Sequence, residues 1–121
     1  MNTRILAVDD SPSMRDMVRI ALTSAGFDVI SAADGREALD LARQSGFDLV
    51  LSDVNMPVMD GIELIRALRS ESGYRHTPIL MLTTEAGPDR KKEGKEAGAT
   101  GWIVKPFDPA QLVATMHRVL R

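Results

Sequence analysis

Apolar residues in this chain follow two alternating rhythms: short β-branched or aliphatic runs, and longer stretches in which apolar positions recur every three or four residues. Arg4 to Val8 is the first run. It is broken by Asp9, Asp10 and Ser11, with Pro12 placed where a helix begins after a Ser cap. Met14, Met17, Val18, Ala21, Leu22 and Ala25 then predict a helix with one apolar face, and Gly26 offers the left-handed stop. Phe27 to Ser31 predicts a second strand. Asp34 with Glu37 predicts a capping box opening a helix that carries Ala38, Leu41 and Ala42 as far as Gly46. Phe47 to Ser52 is apolar at both parities, the mark of a central parallel strand covered on both faces, and Asp53 stands at its exit.

The second half repeats the alternation. Asp60 and Glu63 carry the capping-box signature again, and Ile62, Ile65 and Leu68 mark a third helix ending near Gly73. Pro78 to Leu82 reads as a buried fourth strand. The helix from Pro88 to near Gly98 is unusual, because Asp89 to Glu96 holds no apolar residue and has Gly94 inside it; such a helix is weakly held. Gly101 to Val104 makes a fifth strand. Asp108, Pro109 and Gln111 cap a last helix whose Leu112, Val113, Met116, Val119 and Leu120 face inward. Five strands alternating with five helices predict a doubly wound α/β domain, a parallel sheet with right-handed crossovers and helices on both faces. A short first strand ended by two acids suits the centre of the sheet. The strand order 2-1-3-4-5, common in doubly wound (flavodoxin-like) domains, sets the exits of the first and third strands side by side.

Composition narrows the classes. At 121 residues the chain fits one domain, residues 1–121, with a core that needs no staples. No segment approaches the roughly 20 apolar residues that span a bilayer, and the N-terminus lacks the small-residue cleavage site of a signal peptide. A cytoplasmic protein is expected. The absence of Cys removes disulfides and thiolate sites. A formal charge of −2, with no convincing basic patch on any helix, argues against direct nucleic-acid binding.

The chemistry gathers at the strand exits. Asp9, Asp10 and Asp53 would meet at one edge of the sheet, where carboxylates repel and call for a cation. An oxygen-only donor set suits Mg²⁺ better than zinc, and neither His76 nor His117 lies near a strand exit. Asp10 and Asp53 are expected as direct ligands, with Asp9 partly through water; the bland alternative is that Asp9 or Asp10 caps the first helix, a role for which Ser11 competes. Lys105, at the exit of the fifth strand, adds a fixed positive charge, and Thr83, at the exit of the fourth, a hydroxyl. With a divalent cation the charges cancel, which leaves a pocket able to polarise a phosphoryl group, and Asp53 is the natural nucleophile toward phosphorus. Singly, Thr83 reads as a β-branched strand residue and Lys105 as a solvated strand end.

Asp9-Asp10, the run Asp53-Val54-Asn55-Met56-Pro57, Asp60-Gly61, Thr83 and Lys105-Pro106-Phe107 come in the order seen in response-regulator receiver domains of two-component signalling, which the chain resembles over essentially its whole length. The resemblance implies that Asp53 takes a phosphoryl group from a histidine kinase. It implies that Asp10, Asp53 and the backbone carbonyl of Asn55 hold Mg²⁺, that Lys105 and Thr83 contact the phosphoryl oxygens, and that Lys105-Pro106 is cis. Trp102 stands where the family keeps a tyrosine or phenylalanine switch residue; on residue type alone it is a half-buried strand aromatic. The output face implied is the fourth helix, fifth strand and fifth helix. Lys91, Lys92 and Lys95 on that fourth helix suit an acidic partner, though such a run more often marks a solvated face.

Arg121 ends the chain about where the fifth helix should end, so a monomeric domain that is its own output is expected. Within the family, Asn55 and Glu85, the residues expected to tune dephosphorylation, together with Gly101-Trp102 before Lys105, resemble single-domain chemotaxis response regulators of CheY type. The partners implied are a chemotaxis histidine kinase and a flagellar motor switch protein, with no membrane contact, and catalysis is limited to the domain's own phosphorylation and dephosphorylation. The runners-up are a phosphorelay intermediate or phosphate sink, and a receiver cut from a larger regulator. A phosphatase of the haloacid dehalogenase type wants a second Asp where Asn55 stands, and a flavodoxin-like FMN carrier would have Asp9 and Asp10 repelling its phosphate.

Overall fold

In the computed structural model, which describes residues 2–84 and 88–120, the chain runs from Arg4–Val8 (β1) through Asp9, Asp10 and Ser11 into Pro12–Ser24 (α1). The other elements follow in alternation: Asp28–Ala32 (β2), Gly35–Gln44 (α2), Leu49–Asp53 (β3), Gly61–Arg69 (α3), Ile79–Thr83 (β4), Pro88–Ala97 (α4), Gly101–Val104 (β5) and Pro109–Val119 (α5). The strands pair in parallel in the order β2-β1-β3-β4-β5, as expected. β3 and β4 are buried along their whole length, while the edge strands β2 and β5 alternate or remain partly exposed.

Strand parity sorts the core into two layers. Leu6, Val8, Val50, Ile79 and Met81 point to one face and pack with Ala38 and Leu39 of α2, Ile62 and Ile65 of α3 and Ala97 of α4. Ile5, Ala7, Leu49, Leu51, Leu80 and Leu82 point to the other and pack with Val18 and Leu22 of α1 and Leu112 and Met116 of α5. Helices therefore cover both faces, and the strand exits are left open between them.

Several local expectations shift. The strands end later than the apolar runs suggest, so that Asp53 and Thr83 are their last residues rather than the ones beyond. Met17 does not face inward but is 49% exposed beside Ile20. Ser11 caps α1, its Oγ accepting from Met14 N at 3.3 Å. Asp60 and Glu63 close a full capping box. At α2, Asp34 accepts from Glu37 N, but the Glu37 carboxylate reaches one residue further back, to Ala33 N at 2.8 Å. Asp108 caps α5 through Ala110 N, at 2.9 Å.

α3 stops at Arg69 instead of continuing toward Gly73. A 3₁₀ turn at Ser72–Tyr74 takes over, because Tyr74 is buried with its hydroxyl 2.8 Å from the carbonyl oxygens of both Ala42 and Ser45. The Arg69 guanidinium gathers the carbonyls of Tyr74 (2.6 Å), Thr77 (2.7 Å) and Gly98 (2.9 Å), which ties this turn and the end of α4 to α3. α4 is as poor in apolar contact as its sequence implies. Among its described side chains Gly94 and Ala97 are buried, and a β-carbon on Gly94 would overlap the end of the Met81 side chain, so the glycine lets the helix lie close on the sheet.

Candidate functional site at the carboxyl edge of the sheet

Register builds the site in steps. Val8 pairs with Ser52, so Asp9 and Asp53 leave adjacent strands at the same level. Asp53 pairs with Leu82, and Thr83 with Val104, so Thr83 and then Lys105 extend the same edge across the sheet. Asp9, Asp53 and Thr83 are buried at 3%, 8% and 3% exposure, whereas Asp10 turns out to solvent at the rim. Backbone bonds fix the walls: Lys105 N donates to Thr83 O at 2.8 Å, and Lys105-Pro106 is cis, as the resemblance implied.

Asp9, Asp10 and Asp53 each bring a carboxylate oxygen within 4.8 Å of the others. Lys105 Nζ lies 2.9 Å from Asp9 Oδ2 and 3.3 Å from Asp53 Oδ1. Val54 N donates to Asp53 Oδ1 at 2.8 Å, and Ser11 N to Asp9 Oδ1 at 3.0 Å. Helix capping therefore falls to Ser11, and the aspartates face the shared pocket.

The electrostatics of the pocket are unbalanced. Burial, followed by the charge of Asp9, raises the Asp53 pKa above the ordinary carboxylate value, and Lys105 and the Val54 N–H do not make up the difference. Burial alone would lower the Lys105 pKa, but its hydrogen bonds and charge contacts with Asp9 and Asp53 outweigh this and hold it raised. One ammonium among three carboxylates leaves negative charge over. An oxygen-only donor set with that surplus fits a hard divalent cation, with Asp9, Asp10 and Asp53 as its side-chain ligands.

The other expected residues are less central. Asn55 is exposed in the loop after β3, where its Oδ1 accepts from Arg90 Nη2 at 2.9 Å. Trp102 is 37% exposed on β5, with Lys91 Nζ 4.9 Å from its ring centroid. Glu85 lies outside the described residues.

Three residues matter here in ways the sequence reading did not foresee. A β-carbon on Gly61 would overlap the Asp53 carbonyl oxygen, and Gly61 N donates to Val54 O at 2.8 Å, so α3 starts directly against the end of β3. Arg15 donates to the Asp9 carbonyl at 2.7 Å. Arg90 is the third. The Asp-Gly pair was a visible signal for a tight approach, while nothing local marked either arginine.

Comparison with known proteins points the same way. The response regulator receiver domain pattern matches residues 5–117. The chain is 43% identical over 121 residues to the DNA-binding response regulator MtrA of Mycolicibacterium smegmatis, covering 100% of this chain and 52% of that protein, so it spans about half the length of that relative. It is 40% identical over 119 residues to chemotaxis protein CheY-3 of Vibrio cholerae, covering 98% of this chain and 92% of that one. The solved structure of chemotaxis protein CheY4 of Vibrio cholerae matches with a TM-score of 0.96 at 56% identity, over 98% of this chain and 99% of that one. The receiver domain of sensor histidine kinase PA1611 from Pseudomonas aeruginosa, described with a magnesium ion coordinated in its active site cleft, matches with a TM-score of 0.93 at 31% identity, over 99% and 98% of the two chains. With the acid pair, the buried aspartate, the lysine bridging them and the strand order all in place, the chain belongs to the response regulator receiver domain family.

Proposed function

We propose that Asp53 is the phosphoacceptor of a Mg²⁺-dependent response regulator that takes its phosphoryl group from a histidine kinase and signals by binding another protein. The observation that carries this reading is the placement of Lys105 Nζ against both Asp9 and Asp53 at the floor of an acidic pocket. In the transfer, an Asp53 carboxylate oxygen forms the new bond to phosphorus as the bond to the donor histidine nitrogen breaks, and the electron pair leaves with the imidazole. Lys105 stabilises the charge on the transferring oxygens, and Thr83 supplies a hydroxyl donor at the neighbouring strand end. Asp10, Asp53, the Asn55 backbone carbonyl and, partly through water, Asp9 would hold Mg²⁺, which would neutralise charge on the phosphoryl oxygens. The protein acts on no external substrate; its chemistry is its own phosphorylation and the later hydrolysis.

Output runs through α4, β5 and α5, with Trp102 as the switch residue, its exposed ring turning inward when Thr83 is drawn to the phosphoryl group. Similarity to CheY-3 and CheY4 supports a chemotaxis role, with a chemotaxis kinase and a flagellar motor switch protein as partners, in the cytoplasm. A second reading, a receiver within a larger DNA-binding regulator, is favoured by the match to MtrA. Incubation with acetyl phosphate and Mg²⁺ should label the wild type and leave Asp53→Asn unlabelled; equal labelling removes Asp53 as acceptor. Binding of the beryllofluoride-activated form, but not the untreated form, to a flagellar motor switch protein separates the chemotaxis reading from the other.

A further inference from the structure

We infer that Arg90 is a positioning residue for the phosphorylated site, acting through Asn55 to slow hydrolysis of the aspartyl phosphate. The inference rests on the reading that Asp53 carries the phosphoryl group. Arg90 sits in the first turn of α4 and Asn55 two residues past Asp53, in the loop after β3. Their hydrogen bond, Nη2 to Oδ1 at 2.9 Å, spans 35 residues and joins two segments that rim the same edge of the sheet. The Arg90 side chain is 27% exposed, so the guanidinium is partly withdrawn from water while reaching that loop.

Its other partner does not use it up. Glu93 lies 3.3 Å from Nη1 one turn along α4, so that pair leaves Nη2 for the Asn55 amide. Among the described side chains of α4, Gly94 and Ala97 are buried, both toward its C-terminal end. The Arg90 bond to Asn55 is a tether from the first turn of α4 to the loop that follows Asp53.

The consequence concerns water. Phosphorylation adds negative charge at Asp53, which attracts the Arg90 cation toward the same edge of the sheet. With the pair made, the Asn55 side chain, two residues past Asp53, is held in place and the two segments are drawn together. With it broken, the amide is free to swing, and water reaches the phosphorus from that side.

The test is the rate of autodephosphorylation, followed after labelling with acetyl phosphate in Mg²⁺ and removal of the donor. Arg90→Ala should shorten the phosphoryl lifetime by about 3–10-fold, roughly 0.7–1.4 kcal/mol of barrier. In an Asn55→Ala background the same substitution should change nothing further, because its route of action is gone. A role confined to α4 stability would act equally in both backgrounds. Arg90→Gln, which keeps much of the side-chain bulk, checks the result if the alanine disturbs α4. An unchanged lifetime in both Arg90 variants, or effects of Arg90 and Asn55 that simply multiply, would overturn the inference, whereas a wild type that takes no label at all would instead overturn the assignment of Asp53.

Discussion

Gly61 lies so close to Asp53 that a β-carbon would overlap the Asp53 carbonyl oxygen and crowd Val54 Cα. The obstructing atoms are backbone of a fully buried strand, which has no room to retreat. Gly61→Ala should therefore push the acceptor strand or the start of α3 aside. The expected loss is about 1–3 kcal/mol of stability. Because a misplacement of 1 Å can cost on the order of 100-fold in rate, labelling by acetyl phosphate should slow at least tenfold. Gly46→Ala is the control, since a β-carbon there meets nothing within 4 Å. Equal urea midpoints and labelling rates for the two variants would show that the contact does not constrain the site.

Arg69 makes the opposite kind of contact, a charged side chain satisfying the backbone carbonyls of Tyr74, Thr77 and Gly98, with a longer contact to Arg75 O at 3.4 Å. Arg69→Met keeps the aliphatic stem and removes the donors. Hydrogen bonds to a charged group contribute about 1.5–3 kcal/mol, so the variant should lose roughly 2–4 kcal/mol in urea unfolding, with the slope unchanged. Arg69→Lys should recover only part of this, because an ammonium cannot reproduce the fork of the guanidinium. Full recovery by lysine would mean that charge, not geometry, holds the turn.

Asp53 links stability to pH. Its pKa is raised in the folded protein above the ordinary value of 3.8, first by burial and then by Asp9. Below that ordinary value the group is protonated in both states and costs nothing. As pH rises through the folded-state value the folded protein must ionise it in the pocket, and stability is lost. In EDTA at neutral pH, Asp53→Asn should thus melt a few degrees above the wild type, and the gap should close as pH falls toward 4. Millimolar Mg²⁺ should raise the wild-type Tm more than that of the variant. A variant that melts no higher than wild type in EDTA would contradict this balance of charges.

The alternation of apolar runs and amphipathic stretches determined the element order, the two-faced sheet and the identity of the residues at its carboxyl edge, because periodicity of 2 or 3.6 is a local property of the chain. Asp9, Asp10, Asp53, Thr83 and Lys105 were legible for that reason: each ends or follows a strand, and parallel strands put such positions on one edge. Only the tertiary structure decided what depends on register and close approach. It brought Lys105 to both Asp9 and Asp53, set Gly61 against the Asp53 carbonyl, and stopped α3 at Arg69 so that Tyr74 could reach Ala42 and Ser45. It also turned Met17 outward and sent Glu37 to Ala33 rather than to its own cap. The Arg90 bond to Asn55 belongs to the same class, a contact between segments 35 residues apart that exists only once the fold has placed the start of α4 beside the loop after β3.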